Sequence, residues 1–155
     1  SGNFQKRSHY RMGDRFVPAL TTNEGHWRAK FGTMGIATDE RYEEEVAEAR
    51  EGRYLPFVRR AFDAAGIAFG RIDFGLWNGR PQVYEINTNP SYEDVGAHRH
   101  PGRSALILEQ KQAMTEALLA LDTAEAGSID MPYFRKASRR TRGLRVVAGT
   151  ELHPI

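Results

Sequence analysis

The chain contains no cysteine among its 155 residues. Disulfide bonds, thiolate metal ligands and cysteine nucleophiles are therefore excluded, and a cytoplasmic location is compatible with this composition. No apolar run approaches the roughly twenty residues of a membrane span, and the first residues do not form a signal-peptide pattern. We therefore expect a cytoplasmic protein that has no contact with a membrane.

The chain also lacks a strong excess of charge. Its 22 Lys and Arg residues against 20 Asp and Glu residues leave a formal net charge of +2 at pH 7, which gives little reason to propose a nucleic-acid-binding protein. A basic run at residues 135–145 has no interleaved aromatic side chains on which bases could stack. We expect residues 126–155 to form a basic tail or a docking segment, and we do not expect nucleic acid to be a partner.

The remaining residues, 1–125, have the patterns of a single domain. Hydrophobic residues make up 40% of the chain and charged residues 27%, as is usual for globular proteins. The predicted elements are strands at 4–12 and 15–20, a polar loop at 21–25, helices at 39–50 and 56–65, a hairpin within 71–90, a loop at 91–102 and a helix at 104–121. Their order predicts an α+β fold in which an antiparallel sheet packs against helices. Beyond this domain, one short strand is predicted at 146–148.

The most informative segment is the predicted hairpin, because five of its polar residues fall at odd positions. They are Arg71, Asp73, Glu85, Asn87 and Asn89. Strand side chains alternate between faces, so the first two share one face of the first strand and the last three share one face of the second. The hairpin is therefore expected to have an apolar face for a core and a second face that carries an arginine, two carboxylates and two amides.

The turn decides whether the two polar sets lie on the same side. Asn78-Gly79 predicts a tight turn, because both residues tolerate positive φ. A strict two-residue loop would pair Asp73 with Tyr84 and place the charges of the second strand on the apolar face of the first. A three-residue loop shifts the pairing by one and unites the odd positions. Burying an unpaired carboxylate costs several kcal/mol, roughly, and turn types differ by much less, so we predict the odd-length loop.

The polar face is rich in oxygen ligands that suit hard cations. Mg²⁺ prefers carboxylate and amide oxygens and completes its octahedron with waters and substrate phosphates. A carboxylate such as Glu85 could bridge two ions. The plain alternative is a solvated face on which Arg71 and Asp73 form a surface ion pair.

Two runs of this hairpin, residues 70–74 and 85–90, resemble the metal-binding hairpin of the ATP-grasp superfamily. They are similar in particular to D-alanine–D-alanine ligases, glutathione synthetases and related carboxylate–amine ligases, and a looser resemblance covers residues 4–90. The fold implied is the C-terminal subdomain of an ATP-grasp domain. The cofactors implied are ATP and one or two Mg²⁺ ions, for which Mn²⁺ could substitute.

The resemblance also implies roles for individual residues. Asp73 would hold one Mg²⁺, Glu85 would bridge two, and Asn87 would hold the second. Arg71 would act in catalysis, by stabilising negative charge on the transferring phosphoryl group or on a tetrahedral intermediate. The residues implied to bind the nucleotide are Asn89 and, through phosphate, Arg7 or Arg11.

The implied reaction joins a small-molecule or peptide carboxylate to an amine through an acyl phosphate. Arg103, near the loop that follows the motif, is a candidate for gripping a substrate carboxylate by a bidentate fork, and a surface loop with nothing bound is the alternative. In the same loop His98 and His100 could be read as a metal pair, but two histidines without a third ligand are weak support for zinc.

The chain departs from the family pattern in two places. The motif is followed by Ser91 where the ligases have glycine, so the identity of the substrate does not carry over. The segment ahead of the motif contains no Gly-rich lid, and its only lysines are Lys6 and Lys30. We therefore expect the C-terminal part of a ligase that needs an N-terminal ATP-grasp half or a partner chain. The alternative is a non-catalytic fragment or degenerate homologue that acts as a binding or scaffold module.

Overall fold

The computed structural model describes residues 2–33, 35–92 and 95–122, and the backbone of residues 144–147 and 151–154. The chain divides into two compact units, residues 1–122 and 123–155. The first unit is a four-stranded antiparallel sheet with three helices, and the predicted α+β class is confirmed. In the part of the chain that is described, no helix is long and apolar enough to cross a membrane.

The elements of the first unit are, in chain order, β1 (Phe4–Met12), β2 (Arg15–Glu24), α1 (Asp39–Arg50), α2 (Leu55–Ala65), β3 (Phe69–Trp77), β4 (Arg80–Asn87) and α3 (Pro101–Leu119). The strand order is β2-β1-β3-β4, and every neighbouring pair is antiparallel. In the second unit β5 (Leu144–Val147) pairs with β6 (Glu151–Pro154), also antiparallel. Most of the basic run at 135–145 lies outside the described residues.

Helix signals in the sequence place two of the three helices correctly. α1 follows Thr38 and has acidic residues in its first turn, where they complement the positive end of the helix dipole. α2 has a proline in its first turn and ends at Gly66, whose φ of 65° is left-handed. α3 begins three residues earlier than predicted. Pro101 suits its first turn, and the side chain of His100 caps it by accepting a hydrogen bond from the Arg103 N–H.

β2 is longer than predicted, and the prediction of a loop at residues 21–25 was wrong. The strand continues to Glu24, which pairs with Phe4. An irregularity in the ladder between Lys6 and Ser8 accommodates an extra residue on β2. Pairing with β1 gives the polar residues of this segment backbone hydrogen bonds, and so overrides their preference for loops.

Each face of the sheet has its own core. Ile72 and Phe74 of β3 are fully buried against Val58 and Phe62 of α2. The other face packs against α3 through a second cluster, formed by Tyr10, Met12, Val17 and Ala117. Tyr10 pairs with Arg71, and Ser8 with Asp73, so the polar side of β3 lies on the same face as α3.

The hairpin of β3 and β4 corrects the predicted turn. Trp77 pairs with Arg80 across the two residues Asn78 and Gly79, which have φ of 49° and 73°. Both angles are positive, as in the type I′ turn that suits the twist of a two-residue hairpin. The prediction of an odd-length loop was therefore wrong, because turn chemistry sets the pairing close to the turn.

The predicted pairing of the odd positions is nevertheless confirmed, because a β-bulge restores it. Phe74 pairs with Val83 on the turn side, and Asp73 pairs with Glu85 beyond it, so Tyr84 is the extra residue of β4. Arg71 then pairs with Asn87. The bulge satisfies both constraints: the short turn fixes one end of the hairpin, and the pattern of apolar and charged residues fixes the other.

Two glycines of β3 permit this arrangement. The side chain of Tyr84 lies over Gly75 and occupies the space that a Cβ atom would need there. At Gly70 a Cβ would lie 2.6 Å from the backbone oxygen of Asn87. Towards the turn the hairpin leaves the core, and the apolar even positions Leu76 and Tyr84 are exposed instead of facing it.

His9 is buried in the sheet with an imidazole that stays neutral. Its ring centroid lies 5.9 Å from that of Phe74, and its Nδ1 has no hydrogen-bond partner among the described residues. Burial lowers the pKa of His9 from 6.5 to about 4. The folded protein therefore resists protonation at a position where the unfolded chain takes up a proton.

This burial predicts that stability falls as the pH decreases from 6.5 towards 4. A lowered His pKa means that the unfolded state binds the extra proton across that window, at a cost of about 1.4 kcal/mol per pH unit. The measurement is urea unfolding of the wild type and of His9→Gln at several pH values. His9→Gln should lose this part of the pH dependence, and the control His26→Gln, at an exposed imidazole, should keep it. Equal pH dependence in wild type and His9→Gln would contradict the assignment.

Candidate functional site

A cluster of charged and polar side chains spans three strands on one face of the sheet. We call it the Asp73 cluster, and its members are Lys6, Ser8, Arg71, Asp73, Glu85 and Asn87. Register places them together. Ser8, Asp73 and Glu85 are cross-strand partners in β1, β3 and β4, and Arg71 lies opposite Asn87 in the next row on the same face.

The carboxylate of Asp73 is at the centre of the cluster, with its side chain only 2% exposed. Its Oδ1 accepts hydrogen bonds from Ser8 Oγ at 2.7 Å and from Arg71 Nε at 3.0 Å. Its Oδ2 accepts one from Arg71 Nη2 at 3.3 Å and forms an ion pair with Lys6 Nζ at 3.0 Å. A carboxylate offers about four acceptor positions, so the protein itself occupies all of them. The buried charge is thereby compensated.

Arg71 is held in a fixed orientation at the edge of this cluster. Its side chain is 22% exposed, and it binds both oxygens of Asp73 in a fork. Burial alone lowers the pKa of Arg71, but a hydrogen bond with Tyr10 and the charge of Asp73 outweigh burial and raise it. The guanidinium therefore presents a permanent positive charge beside the carboxylates.

The two β4 members of the cluster are more accessible than Asp73. Glu85 is exposed, and within the described part of the chain its carboxylate has neither a hydrogen bond nor an ion pair. Asn87 is half-buried, and its Oδ1 accepts a hydrogen bond from the backbone N–H of Asn89 at 2.9 Å, which begins the turn after β4. Glu85 and Asn87 thus direct oxygen atoms to the same face as Asp73.

These donors match a hard cation in kind but are not arranged as a preformed cage. Two carboxylates and one amide supply only oxygen, which suits Mg²⁺ better than zinc. No group of three or more His, Cys, Asp or Glu side chains able to hold a metal ion exists among the described residues. Mg²⁺ sites with few protein ligands complete the coordination of the ion with waters and phosphates.

The loop after β4 is tied back onto the cluster. The hydroxyl of Tyr10 donates a hydrogen bond to the carbonyl oxygen of Ser91 at 3.3 Å, and the Tyr10 ring stacks on Tyr92 at 5.3 Å between centroids. Tyr10 therefore connects Arg71 to the loop that follows the motif. Asn89, in this turn, is exposed, and its side chain makes no described contact with the carboxylates.

Arg7 and Arg11 lie on the opposite face of the sheet from Asp73. Arg7 binds Glu48 of α1 through Nε at 3.0 Å and Nη2 at 3.2 Å. Arg11 binds Asp63 of α2 at 2.6 Å and the carbonyl oxygen of Gly13 at 2.9 Å. The structure does not bring either arginine to the predicted metal ligands, because strand alternation separates odd positions of β1 from Ser8. Their charges fasten the sheet to the helices.

Arg103 has internal partners instead of a free guanidinium. Its Nη2 donates to the carbonyl oxygen of Thr21 at 2.7 Å, its Nε forms a 3.0 Å ion pair with Glu45, and it lies over the ring of Tyr42. Burial raises the pKa of Glu45, and the charge of Arg103 opposes that effect. The structure places Arg103 as a link between α3, β2 and α1, with its guanidinium engaged by internal partners.

His98 and His100 are used within their loop. His98 Nδ1 accepts the backbone N–H of His100 at 3.0 Å, and His100 Nδ1 accepts that of Arg103 at 3.3 Å. One ring nitrogen of each histidine is therefore committed to backbone structure. Nothing in the described part of the chain adds a third ligand to this pair.

Lys6, Ser8 and Tyr10 were not among the site residues predicted from the sequence. Alternation along β1 puts all three on one face, which is a signal present in the sequence. That signal cannot say which strand lies beside β1, because the pairing of β1 with β3 joins segments separated by two helices.

The fold and the cluster define an α+β protein with a charged, oxygen-rich sheet face. Comparison with protein-family models, with curated proteins and with solved structures finds no match to the chain. Its function must therefore be inferred from the cluster itself.

The contacts predict opposite consequences for the two carboxylates. Asp73→Asn removes the anion that holds Lys6 and Arg71. Leaving the half-buried guanidinium of Arg71 without its anion should lower the free energy of unfolding by about 3 kcal/mol. Glu85→Gln changes an exposed side chain and should shift it by less than about 0.5 kcal/mol. Urea unfolding of both variants checks this contrast, and equal losses would show that the burial or the contacts of Asp73 are misassigned.

Proposed function

We propose that this chain supplies the Mg²⁺-binding part of an ATP-dependent carboxylate–amine ligase of the ATP-grasp type. The observation that carries the proposal is the bulge at Tyr84, which sets Glu85 beside Asp73 and Asn87 beside Arg71. Without the bulge, the two-residue turn would direct Glu85 to the apolar face. Bulges interrupt a ladder and are frequent next to active sites, where they re-aim side chains.

Under this proposal Asp73, Glu85 and Asn87 hold Mg²⁺. When Mg²⁺ is bound, it would neutralise part of the negative charge on the phosphates. Asp73 is also the residue that fixes the orientation of Arg71, so the metal ligands and the cationic group share one support.

Arg71 stabilises negative charge as the phosphoryl group is transferred. A preorganised cation is effective because it needs no reorientation when charge develops. The substrate carboxylate attacks the γ-phosphorus, the bond to the leaving ADP oxygen breaks, and an amine then displaces phosphate from the acyl phosphate. None of these steps needs a nucleophilic side chain, and the cluster contains positioned charges instead.

The substrates are a small-molecule or peptide carboxylate and an amine. The described residues bring two cations, Lys6 and Arg71, to the cluster, while Arg7 and Arg11 are bound to helices on the other face. The remaining nucleotide contacts would therefore come from another ATP-grasp segment or from a partner chain. The loop at Ser91 and Tyr92, tied to Tyr10, would border the substrate.

One observation favours a second candidate, a non-catalytic binding or scaffold module. All acceptor positions of Asp73 are occupied by groups of the protein, which is the arrangement expected of a structural ion cluster. On this alternative the cluster fastens β1 to β3 and has no affinity for divalent cations.

Mn²⁺ binding distinguishes the two candidates. Paramagnetic broadening in the amide spectrum reports even weak binding and locates the ion. We expect broadening centred on residues 85–87 and on Asp73, reversed by excess Mg²⁺ and strongly reduced in Glu85→Gln. The matched control is Glu43→Gln, which alters an exposed acid on α1. Broadening that Glu85→Gln leaves unchanged, or that is absent from β3 and β4, would contradict the ligase proposal and favour the scaffold.

A further inference from the structure

We propose that Lys6 is a built-in counter-cation that a divalent metal ion must displace from Asp73. This inference rests on the proposed metal site and goes further, because it assigns a positioning role to a residue of β1. Lys6 Nζ lies 3.0 Å from Asp73 Oδ2, and its side chain is 15% exposed. The ammonium thus occupies the position at Asp73 that a metal ion would need.

Lys6 is the partner that Asp73 can release most easily. Arg71 holds the carboxylate through two hydrogen bonds from a planar fork, and Ser8 is short, buried and uncharged. Lys6 makes a single ion-pair contact from a compact ammonium on a flexible four-carbon stem. Since that ammonium already reaches solvent, it can move into water, and the metal ion that replaces it would then compensate the buried charge of Asp73.

The charges of the cluster determine which form of the metal ion Lys6 would favour. Lys6 and Arg71 are cations and Asp73 and Glu85 are anions, so the cluster is neutral as it stands. A divalent ion would leave it strongly positive and would repel the nearby ammonium. A triphosphate supplies new anionic partners for that ammonium. Lys6 would therefore oppose binding of the free metal ion and favour binding of the metal together with a nucleotide.

Lys6→Met tests the competition, because methionine retains an unbranched apolar stem and removes the charge. Mn²⁺ affinity is measured by water proton relaxation at fixed pH and ionic strength. We expect Lys6→Met to bind free Mn²⁺ about tenfold more tightly than wild type, since removal of one adjacent cation relieves Coulomb repulsion. The control Lys30→Met, at an exposed lysine outside the cluster, should bind like wild type. The advantage of Lys6→Met should shrink when an ATP analogue is present.

The outcomes separate this inference from the function on which it rests. Equal or weaker Mn²⁺ affinity in Lys6→Met, with binding retained at residues 85–87, overturns the role of Lys6 and leaves the metal site standing. Absence of Mn²⁺ binding in both proteins overturns the metal site and the inference together. If an ATP analogue does not reduce the higher Mn²⁺ affinity of Lys6→Met relative to wild type, the proposed movement of the Lys6 ammonium to phosphate is wrong.

A second measurement follows the metal titration in the wild-type protein itself. With ¹³C-labelled lysine, the Cε signal of Lys6 is assigned by its absence from the Lys6→Met spectrum. Diamagnetic Mg²⁺ should shift that signal along with the amides of residues 85–87, and should leave the Lys30 signal in place. A Lys6 signal that stays fixed while the amides titrate would show that the metal does not displace the ammonium.

Discussion

The buried carboxylate of Asp73 is the constraint on which the polar face of the sheet depends. A charge with only 2% of its side chain exposed must be compensated, and Lys6 and Ser8 from β1 and Arg71 from β3 together provide that compensation. These contacts fix the register between two strands that are distant in sequence. They also hold Arg71 in one orientation and bring Lys6 beside Asp73. Alternation along β1 alone does not predict that neighbour.

The bulge at Tyr84 makes the two-residue turn compatible with the pairing of Glu85 and Asp73. Asn78 and Gly79 form a two-residue turn, yet Glu85 still lies opposite Asp73. A regular hairpin with this turn would have been simpler to pair along its whole length. The extra residue, accommodated by Gly75, instead sends an unpaired carboxylate and an amide to the face that already carries a charged network. A purely structural ion cluster around Asp73 does not require Glu85 there, and this favours the proposed metal site.

Sequence patterns were sufficient for features that depend on neighbouring residues. A capping residue at Thr38 or Asp39 predicted the start of α1, and a proline and a glycine predicted the bounds of α2. Alternation in β3 and β4 identified the shared polar face. They failed where distant segments meet. The length of β2 depends on pairing with β1. The placement of Arg7 and Arg11 on the face opposite Asp73 depends on the register between β1 and β3. The internal role of Arg103 depends on the packing of α3 against α1. The turn differs from the prediction because the bulge at Tyr84 shifts the pairing inside the strand, so that no extra residue is needed in the loop.

The most direct test of this account is the cross-strand pairing beyond Tyr84. Nuclear Overhauser contacts between backbone protons of β3 and β4 report it without any ligand or substitution. The bulged register requires that Ile72 contacts Ile86 and that Asp73 contacts Glu85. Contacts that instead pair Ile72 with Glu85 would show a regular two-residue hairpin, and would remove the shared carboxylate face from which the proposed function is argued.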